Sequence, residues 1–391
     1  MDISMTSPDS FPPLLSAYEH QDRVFGSAFA ILREAIAVRA FPGASIAVTH
    51  QAHLVALKAF GHFTYDAVAP SFSRSLRGDG DFDFEVSPST LFDLASLTKV
   101  VATTPMAMLL YQRGLLDLDA PVAAIVPEFI FDAEKDPRRR KVTLRMLLAH
   151  SSGLPAYEKL FLKARTRDEL LHAAFITPLA ADPGARAEYS DIGFIILGIA
   201  LERLADESLD RFCQREIFAP LTMTNTTFNP PAEIRKQIPP TCDDRTFRNR
   251  IIQGEVQDEN ASVLGGVAAH AGLFSTAPDL AKFAHSMLNG GSPILRPETV
   301  SLFTRRESAP AATSRTLGWD TPSSPSQSGK YFSPQSFGHL GYTGTSLWID
   351  PARQLSITLL TNRTWPDCLN HAIKQIRPRF HDAIIESLNL V

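Results

Sequence analysis

Cysteine is scarce in this chain, which has three cysteines among its 391 residues. Cys213, Cys242 and Cys368 lie far apart, and an odd number of cysteines does not make a fully paired disulfide framework. Their spacing also lacks the close pairs that a zinc knuckle requires. We therefore expect three buried or idle thiols.

The patterns that mark metal and nucleotide sites are missing as well. None of the eleven histidines forms a His-x-x-x-His pair. The close pair His50 and His53 has no cysteine or third histidine nearby. No Gly-x-Gly-x-x-Gly motif or phosphate loop occurs. We expect neither a metal nor an organic cofactor.

Strong charge of one sign and long apolar runs are also absent. The formal net charge of −4 gives no positive field for nucleic acid or an anionic membrane. No run approaches the roughly 20 apolar residues that span a bilayer. The polar N-terminus lacks the basic start and apolar core of a signal peptide. The sequence predicts a soluble, cytoplasmic protein with a small-molecule partner, or a periplasmic or secreted one if a signal was trimmed.

Apolar periodicity predicts strands near both chain ends and helices between them. Two short apolar runs at 44–48 and 54–60 indicate a β-hairpin, and strand character returns at 346–349 and 355–360. A short strand at 91–94 is also expected, and the polar stretch 70–84 is predicted to be a loop. Helices are predicted at 25–39, 96–113, 145–149, 167–175, 191–204, 209–217 and 367–388.

These elements predict an α+β fold. An antiparallel sheet would be formed by both chain ends and flanked by the first and last helices. We expect residues 1–100 and 290–391 to form this sheet domain, and residues 101–289 to form a mainly helical domain. An active site is expected in the cleft between the two, where ligand pockets commonly form.

One Ser-x-x-Lys pattern, at Ser96 and Lys99, is the candidate for chemistry. A serine hydroxyl is a weak nucleophile that needs a neighbouring base. On a helix this spacing places both side chains on the same face, one turn apart. The free N–H groups of a helix start would suit a developing oxyanion. The pattern by itself favours an N-cap serine followed by a solvated lysine.

Further segments resolve that ambiguity through a family resemblance. In order and spacing, the chain resembles the large β-lactamase-related family of serine hydrolases, which includes class C β-lactamases, D-alanyl-D-alanine peptidases and related carboxylesterases. The resemblance extends from about Ala44 to the C-terminal helix and implies a β-lactamase/transpeptidase-like fold. The matching segments are LFDLASLTK at 91–99, LLAHSSGLP at 147–155, YSD at 189–191, GLFST at 272–276 and GHLGYTG at 338–344.

Tyr189-Ser190-Asp191 stands where the family has Tyr-x-Asn. The resemblance implies that Tyr189, as a phenolate beside Lys99, carries protons to the leaving group and from the attacking water. Asp191 stands where the family has asparagine. The replacement matters because a carboxylate only accepts hydrogen bonds, whereas an amide can also donate them. We expect Asp191 to pair with Lys99, which would transfer more of the base role to Tyr189.

The family's third motif, Lys-Thr-Gly or His-Thr-Gly, corresponds to His339-Leu340-Gly341. The motif should lie on an edge strand near the C-terminus, before another strand, and only His339 precedes the predicted strand at 346–349. In the alternative, His270-Ala271-Gly272, we therefore expect His270 to be structural or to lie behind the site. The resemblance implies that the N–H groups of Ser96 and Tyr342 form the oxyanion hole and that His339 contributes polarity beside the hydroxyls. His150 and Asp258 are interpreted as parts of a helix-ending turn and of a loop or hinge near the site.

Leu340 shifts the expected substrate, because leucine lacks the threonine hydroxyl that helps relatives to bind a substrate carboxylate. The sequence predicts a serine hydrolase that forms a covalent acyl-enzyme on an ester or amide. A carboxylesterase-type acyl hydrolase is favoured, with a D-amino-acid peptidase second and a β-lactamase third. A sensor or binding module that acylates slowly without turnover is the alternative from another class. Asp191, His339, Leu340 and Gly341 are the predicted substrate-binding residues.

Overall fold

The structure is a computed structural model that describes residues 12–65, 84–131, 135–324 and 326–391. The predictions for the N-terminus before residue 12, and for most of the loop at 70–84, fall outside these ranges.

The described residues form strands that belong to three sheets. The strands are β1 Leu15–Ser16, β2 Gly43–His50, β3 His53–Gly61, β4 Phe92–Asp93, β5 Thr227–Phe228, β6 Pro240–Asp244, β7 Arg250–Gln253, β8 Leu273–Ser275, β9 Phe337–Leu340, β10 Ser346–Asp350 and β11 Leu355–Thr361. One six-stranded sheet has the strand order β1-β3-β2-β11-β10-β9. The predicted hairpin is β2 and β3, and β2 pairs antiparallel with β11 from the other end of the chain. Two smaller sheets have the orders β4-β8-β5 and β6-β7.

Both chain ends therefore contribute to the same sheet, and the predicted α+β fold is confirmed. The edge strand β1 is a departure, because it pairs in parallel with β3. Two residues are too few to show the alternating pattern by which a strand is found in a sequence.

Two helices cover one face of the sheet, as expected from the apolar spacing near both termini. Successive residues of a strand point to opposite faces, so Ile46 and Val48 of β2 share one face. These side chains belong to one buried cluster with residues of the helices Gly26–Ala37 and Ile373–Ser387. Each aliphatic side chain removed from water here stabilises the fold by about 1.5–3 kcal/mol.

The other face of the sheet is covered by the helix Ala277–Leu288. Ala47, between Ile46 and Val48, lies in a second buried cluster together with Leu280 of this helix. The helix begins after Thr276, whose hydroxyl accepts a hydrogen bond from Asp279 N–H at 3.4 Å. It contacts β2, β10 and β11, although the sequence assigned residues up to 289 to the helical domain. The division into two domains stays a prediction.

Along the chain, most of the other helices lie between the two groups of strands that form the large sheet, that is, between β3 and β9. The α-helices of the described residues have the bounds Gln21–Val24, Gly26–Ala37, Thr104–Gln112, Leu144–Leu148, Arg167–Phe175, Asp191–Ala205, Leu209–Cys213, Glu259–Val263, Ala277–Leu288, Pro297–Thr304 and Ile373–Ser387. Shorter 3₁₀ segments lie at Ala95–Leu97, Val122–Ala124, Pro127–Ile130, Pro137–Lys141, Leu160–Leu162 and Ala232–Gln237, and π-helical ones at Lys99–Thr103 and Gln214–Phe218. None of the described helices is long and apolar enough to cross a membrane.

Three predicted helices differ from those in the structure. The helix expected at 209–217 is the α-helix Leu209–Cys213 followed by the π-helical segment Gln214–Phe218. The helix expected at 96–113 consists of a 3₁₀ turn, a π-helical turn and the α-helix Thr104–Gln112. The last helix begins at Ile373, later than the predicted residue 367. Before it, Asp367 and Asn370 side chains accept hydrogen bonds from backbone N–H groups two residues on, at 2.8 and 2.9 Å. Such local turns compete with helix formation.

Candidate active site

A tight turn between β4 and the following 3₁₀ segment presents Ser96. Ala95 has a φ of 48°, in the left-handed region that few non-glycine residues adopt. The buried Asp93 carboxylate stabilises this turn by accepting a hydrogen bond from Ala95 N–H at 2.8 Å, and it also accepts one from Gln257 N–H at 2.7 Å. Burial raises the pKa of Asp93 to about 6. Asp93 thus connects the serine turn to the loop that contains Asp258.

Lys99 follows one turn later and is completely buried. Its ammonium donates to Ser96 Oγ at 3.0 Å, to Asp191 Oδ1 at 2.7 Å and to the His270 carbonyl oxygen at 2.9 Å. All three ammonium protons therefore have acceptors. Burial lowers the pKa of Lys99, and the Asp191 carboxylate acts in the opposite direction.

Tyr189 lies on the other side of the serine. Its hydroxyl is 2.7 Å from Ser96 Oγ and donates a hydrogen bond to Asp191 Oδ1 at 3.0 Å. Burial, followed by the negative charge of Asp191, raises the pKa of Tyr189 well above its ordinary value. In this arrangement Tyr189 is a neutral phenol, whereas the family resemblance implied a phenolate.

Asp191 is the side chain on which Lys99 and Tyr189 converge. It is the first residue of the helix Asp191–Ala205, whose N-cap Ser190 accepts a hydrogen bond from Gly193 N–H at 3.0 Å. Both Lys99 and Tyr189 donate to the same oxygen, Oδ1. An asparagine carbonyl could also accept these bonds, but it would not supply the negative charge.

His339 lies on β9, at the edge of the large sheet. Its Nδ1 is 2.8 Å from the Leu340 carbonyl oxygen and therefore carries the proton, which leaves Nε2 as an acceptor. Burial, together with the nearby Lys99 charge, keeps the pKa of His339 well below its ordinary value. The ring centres of His339 and Tyr189 are 5.9 Å apart. The imidazole is therefore neutral beside the tyrosine.

The turn at 341–345, which contains Tyr342, is attached to the chain just before Ser96. Thr343 Oγ1 donates to the Asp93 carbonyl oxygen at 2.7 Å, and Thr345 Oγ1 donates to that of Leu94 at 3.0 Å. The Tyr342 side chain is 48% exposed, so the backbone of this residue is the part fixed beside the serine turn. A Cβ at Gly341 would come within 1.9 Å of Thr345 Oγ1, which explains glycine at this position.

His270 and Asp258 stand behind the lysine. His270 Nε2 is 2.8 Å from Asp258 Oδ1, while the His270 backbone oxygen accepts from Lys99. Asp258 also caps the helix Glu259–Val263 by accepting from Ala261 N–H at 2.7 Å. Neither residue has a catalytic assignment from the sequence, because no short-range spacing links two residues that are twelve positions apart.

His150 lies just after the helix Leu144–Leu148, in the helix-ending turn that the sequence predicts. Its ring lies 4.8 Å from that of Tyr189, centre to centre, and its Nδ1 accepts a hydrogen bond from Ser190 N–H at 3.1 Å. Burial keeps the pKa of His150 well below its ordinary value, so this imidazole is neutral. His150 thus packs against the Tyr189 ring and holds the backbone of the next residue, Ser190.

A cavity of about 610 Å³ opens above Ser96. Its lining includes the predicted residues Tyr189, Asp191, His339, Leu340 and Gly341 together with Tyr342. Charged side chains of both signs complete the wall, namely Lys159, Asp258, Glu259, Arg315, Asp320, Arg363, Lys374 and Arg377. Cys368 also lines it, and the three cysteines are free thiols.

A second depression, of about 700 Å³, contains none of the predicted site residues. Four of its charged side chains form two ion pairs, Arg203 with Glu128 at 2.7 Å and Arg167 with Glu202 at 3.0 Å. Within the part of the chain that the structure describes, no group of three or more His, Cys, Asp or Glu residues could hold a metal ion.

Comparison with known proteins identifies the family. A family model described as Beta-lactamase matches residues 29–376. A putative D-alanyl-D-alanine carboxypeptidase of Escherichia coli K12 is 35% identical, over 71% of this chain and 70% of that protein. An N-acetylmuramyl-L-alanine amidase of Bacillus subtilis strain 168 is 34% identical, over 83% of this chain and 77% of that protein.

Solved structures agree on the fold. EstCE1, described as a hydrolase with promiscuous acyltransferase activity, superposes with a TM-score of 0.73 at 18% identity, covering 93% of this chain and 99% of that one. A class C beta lactamase from Rhodobacter sphaeroides gives a TM-score of 0.69 at 20% identity, with the same coverage of 93% and 99%. Together with the matched family model, these findings show that the chain belongs to the beta-lactamase family and is a serine hydrolase with the β-lactamase/transpeptidase-like fold.

Proposed function

We propose that Ser96 is the nucleophile of an acyl hydrolase that works through a covalent acyl-enzyme. The observation that carries this proposal is the position of Ser96 Oγ, 3.0 Å from Lys99 Nζ and 2.7 Å from the Tyr189 hydroxyl. A nucleophile within hydrogen-bond reach of a base that is itself oriented by a third group is the arrangement that activates serine. Asp191, which contacts both Lys99 and Tyr189, is that third group.

The resting charges suggest how the first proton moves. Lys99 is an ammonium, Asp191 a carboxylate and Tyr189 a neutral phenol whose proton points at Asp191. Ser96 Oγ bonds to the acyl carbon as its proton passes to the Tyr189 oxygen, while the Tyr189 proton passes to Asp191. The three side chains then carry a net positive charge beside the negative tetrahedral intermediate, which stabilises that intermediate.

The second half of the cycle uses the same path in reverse. The bond to the leaving group breaks as that group takes a proton from Tyr189, and Asp191 returns its proton to Tyr189. Water then gives a proton to Tyr189 and attacks the acyl carbon. Ser96 Oγ leaves, regains its proton, and the acid is released. In both halves the N–H groups of Ser96 and Tyr342 hold the oxyanion.

The substrate favoured by the pocket is an ester or amide that has no carboxylate next to the reacting bond, as a carboxylesterase-type acyl hydrolase requires. Leu340 supports this choice, because it lines the cavity and has no hydroxyl that could bind a carboxylate, as the family's threonine has. The neutral imidazole of His339 beside it adds no positive charge for such a group.

A D-amino-acid peptidase or related amidase is the second candidate, and Arg315 is the observation in its favour. The Arg315 guanidinium lines the cavity, 5.6 Å from the centre of the Tyr189 ring. Its ion pair with Asp320 is long, at 3.6 Å, so the guanidinium could also bind a substrate carboxylate. The printed names of the two relatives, a carboxypeptidase and an amidase, support the same candidate.

The test is a panel of substrates given to the purified protein and to Ser96→Ala. We expect sustained hydrolysis of p-nitrophenyl butyrate, which Ser96→Ala loses, while the exposed-site control Ser301→Ala keeps it. Hydrolysis of a D-Ala-D-Ala peptide that is faster than hydrolysis of the ester would favour the D-amino-acid peptidase. Faster hydrolysis of nitrocefin would favour the β-lactamase. A burst without steady turnover would favour the sensor. Full activity in Ser96→Ala would overturn the proposal.

A further inference from the structure

The peptide bond between Gly341 and Tyr342 has an unusual partner at its carbonyl oxygen. Its carbonyl oxygen, that of Gly341, accepts a hydrogen bond from Arg377 Nη2 at 2.9 Å and a second from Gly344 N–H at 3.1 Å. Its N–H group is that of Tyr342, which donates to none of the residues that the structure describes. In a trans peptide the C=O and N–H point in opposite directions. Holding the oxygen therefore aims the N–H.

Arg377 is held firmly and is 4% exposed. It projects from the helix Ile373–Ser387 and also donates to the Thr345 carbonyl oxygen at 2.9 Å and to Gln327 Oε1 at 2.9 Å. One guanidinium thus joins both ends of the turn at 341–345.

A second buried guanidinium acts on the next peptide bond. Arg363, 6% exposed, donates from Nε to the Tyr342 carbonyl oxygen at 2.7 Å. Within the described ranges neither Arg363 nor Arg377 forms an ion pair with a carboxylate. Burying a charge without a counter-ion is costly. Neutral side chains could have satisfied the same carbonyl oxygens, so the charge itself calls for an explanation.

We propose that Arg377 is a positioning residue of the oxyanion hole, because its guanidinium orients and polarises the peptide bond whose N–H group, that of Tyr342, receives the oxyanion. A charged donor on the carbonyl oxygen withdraws electron density from the amide and makes the N–H a stronger donor. This inference rests on the proposed function, since an oxyanion forms only if Ser96 attacks an acyl group.

The charge is present at neutral pH. Burial and the neighbouring Arg363 lower the pKa of Arg377 to about 9, which leaves the guanidinium protonated at pH 7. Its field is also directed along the polarised peptide bond toward the cavity, where the negative charge develops during acylation.

The test compares Arg377→Met and Arg377→Lys with the control Arg379→Met, which removes an exposed arginine of the same helix. Removing an oxyanion donor altogether costs about 10²–10³ in kcat, so weakening one should cost less. For p-nitrophenyl butyrate we expect kcat to fall about 10- to 100-fold in Arg377→Met with KM within about 2-fold. Arg377→Lys, which keeps the charge, should lie between wild type and Arg377→Met.

A boronic acid that forms a tetrahedral adduct on Ser96 separates this role from a purely structural one. Its inhibition constant should rise in Arg377→Met by the factor by which kcat/KM falls, and millimolar guanidinium should partly restore both. If Arg377→Met does not fold, as judged by circular dichroism, the same comparison is made with Arg377→Lys. Unchanged boronate affinity in a folded, slower variant would overturn the inference, as would a kcat equal to that of Arg379→Met.

The two proposals fail in different ways. Wild-type protein that is insensitive to the boronic acid, or active without Ser96, contradicts the proposed function. Wild-type protein that is active and boronate-sensitive, with Arg377 variants that match the control, contradicts the role of Arg377 alone.

Discussion

Asp191→Asn is the substitution that probes the site most sharply, because it restores the family's Tyr-x-Asn motif and removes one charge. Asp191 Oδ1 is 2.7 Å from the Nζ of Lys99, whose side chain is wholly buried. At an effective dielectric constant of about 20, the attraction between two charges at this distance is about 6 kcal/mol. Removing one partner of a buried pair typically costs about 3–5 kcal/mol, so we expect a loss of stability of that size at pH 7.

The loss should depend on pH, and its sign follows from Lys99. Burial already lowers the pKa of Lys99 in the folded protein, and losing Asp191 lowers it further. The unfolded chain then binds a proton that the folded chain does not, so stability rises with pH toward the ordinary value of 10.5. The deficit of Asp191→Asn relative to wild type should therefore shrink between pH 7 and about pH 10.

Urea denaturation at several pH values measures this deficit, and kcat/KM provides a second readout. In the proposed cycle Asp191 receives the proton that Tyr189 passes on, so kcat/KM for p-nitrophenyl butyrate should fall in Asp191→Asn. Asp206→Asn, at the exposed end of the same helix, is the matched control and should change stability by no more than about 0.5 kcal/mol. Equal stability and an unchanged kcat/KM in Asp191→Asn would refute the role given to Asp191.

Two further substitutions test the substrate class and the serine turn. Leu340→Thr should raise the ratio of kcat/KM for a D-Ala-D-Ala peptide to kcat/KM for p-nitrophenyl butyrate by about 10-fold or more, since a hydrogen bond to a charged group is worth about 1.5–3 kcal/mol. The control Leu340→Val, which is also β-branched but has no hydroxyl, should leave this ratio unchanged. An equal ratio in the two variants would contradict the role of Leu340 in substrate choice. Asp93→Asn should remove a pH dependence of stability. The pKa of Asp93 is raised from 3.8 to about 6, so between these values the folded chain binds a proton that the unfolded chain does not. The free energy of unfolding of the wild type, measured by urea denaturation, should therefore fall by up to about 1.4 kcal/mol per pH unit as the pH rises from 3.8 to about 6. Parallel pH curves for wild type and Asp93→Asn would contradict this prediction.

The sequence was informative where a side chain's role depends on near neighbours. The hairpin β2 and β3 follows from two apolar runs that a short turn separates, and Ser96 and Lys99 lie one turn apart along the chain. Family motifs carried the assignment further, to Tyr189 and His339, which lie 93 and 243 positions after Ser96.

Contacts made by tertiary packing were not predictable in this way. Arg377 is one of many arginines in the chain, and its position behind Gly341 depends on how the last helix crosses the sheet. Asp258 and His270 pair only because two loops meet behind Lys99. The phenol state of Tyr189 was missed for the same reason, since it depends on burial and on the proton donated to Asp191.

The most direct test of the central claim is the intact mass of the protein after incubation with a fluorophosphonate, which phosphonylates an activated serine and releases fluoride. We expect one adduct per chain, on the peptide that contains Ser96, and none in Ser96→Ala. An adduct on another serine, or an unlabelled wild-type protein that still hydrolyses p-nitrophenyl butyrate, would contradict it.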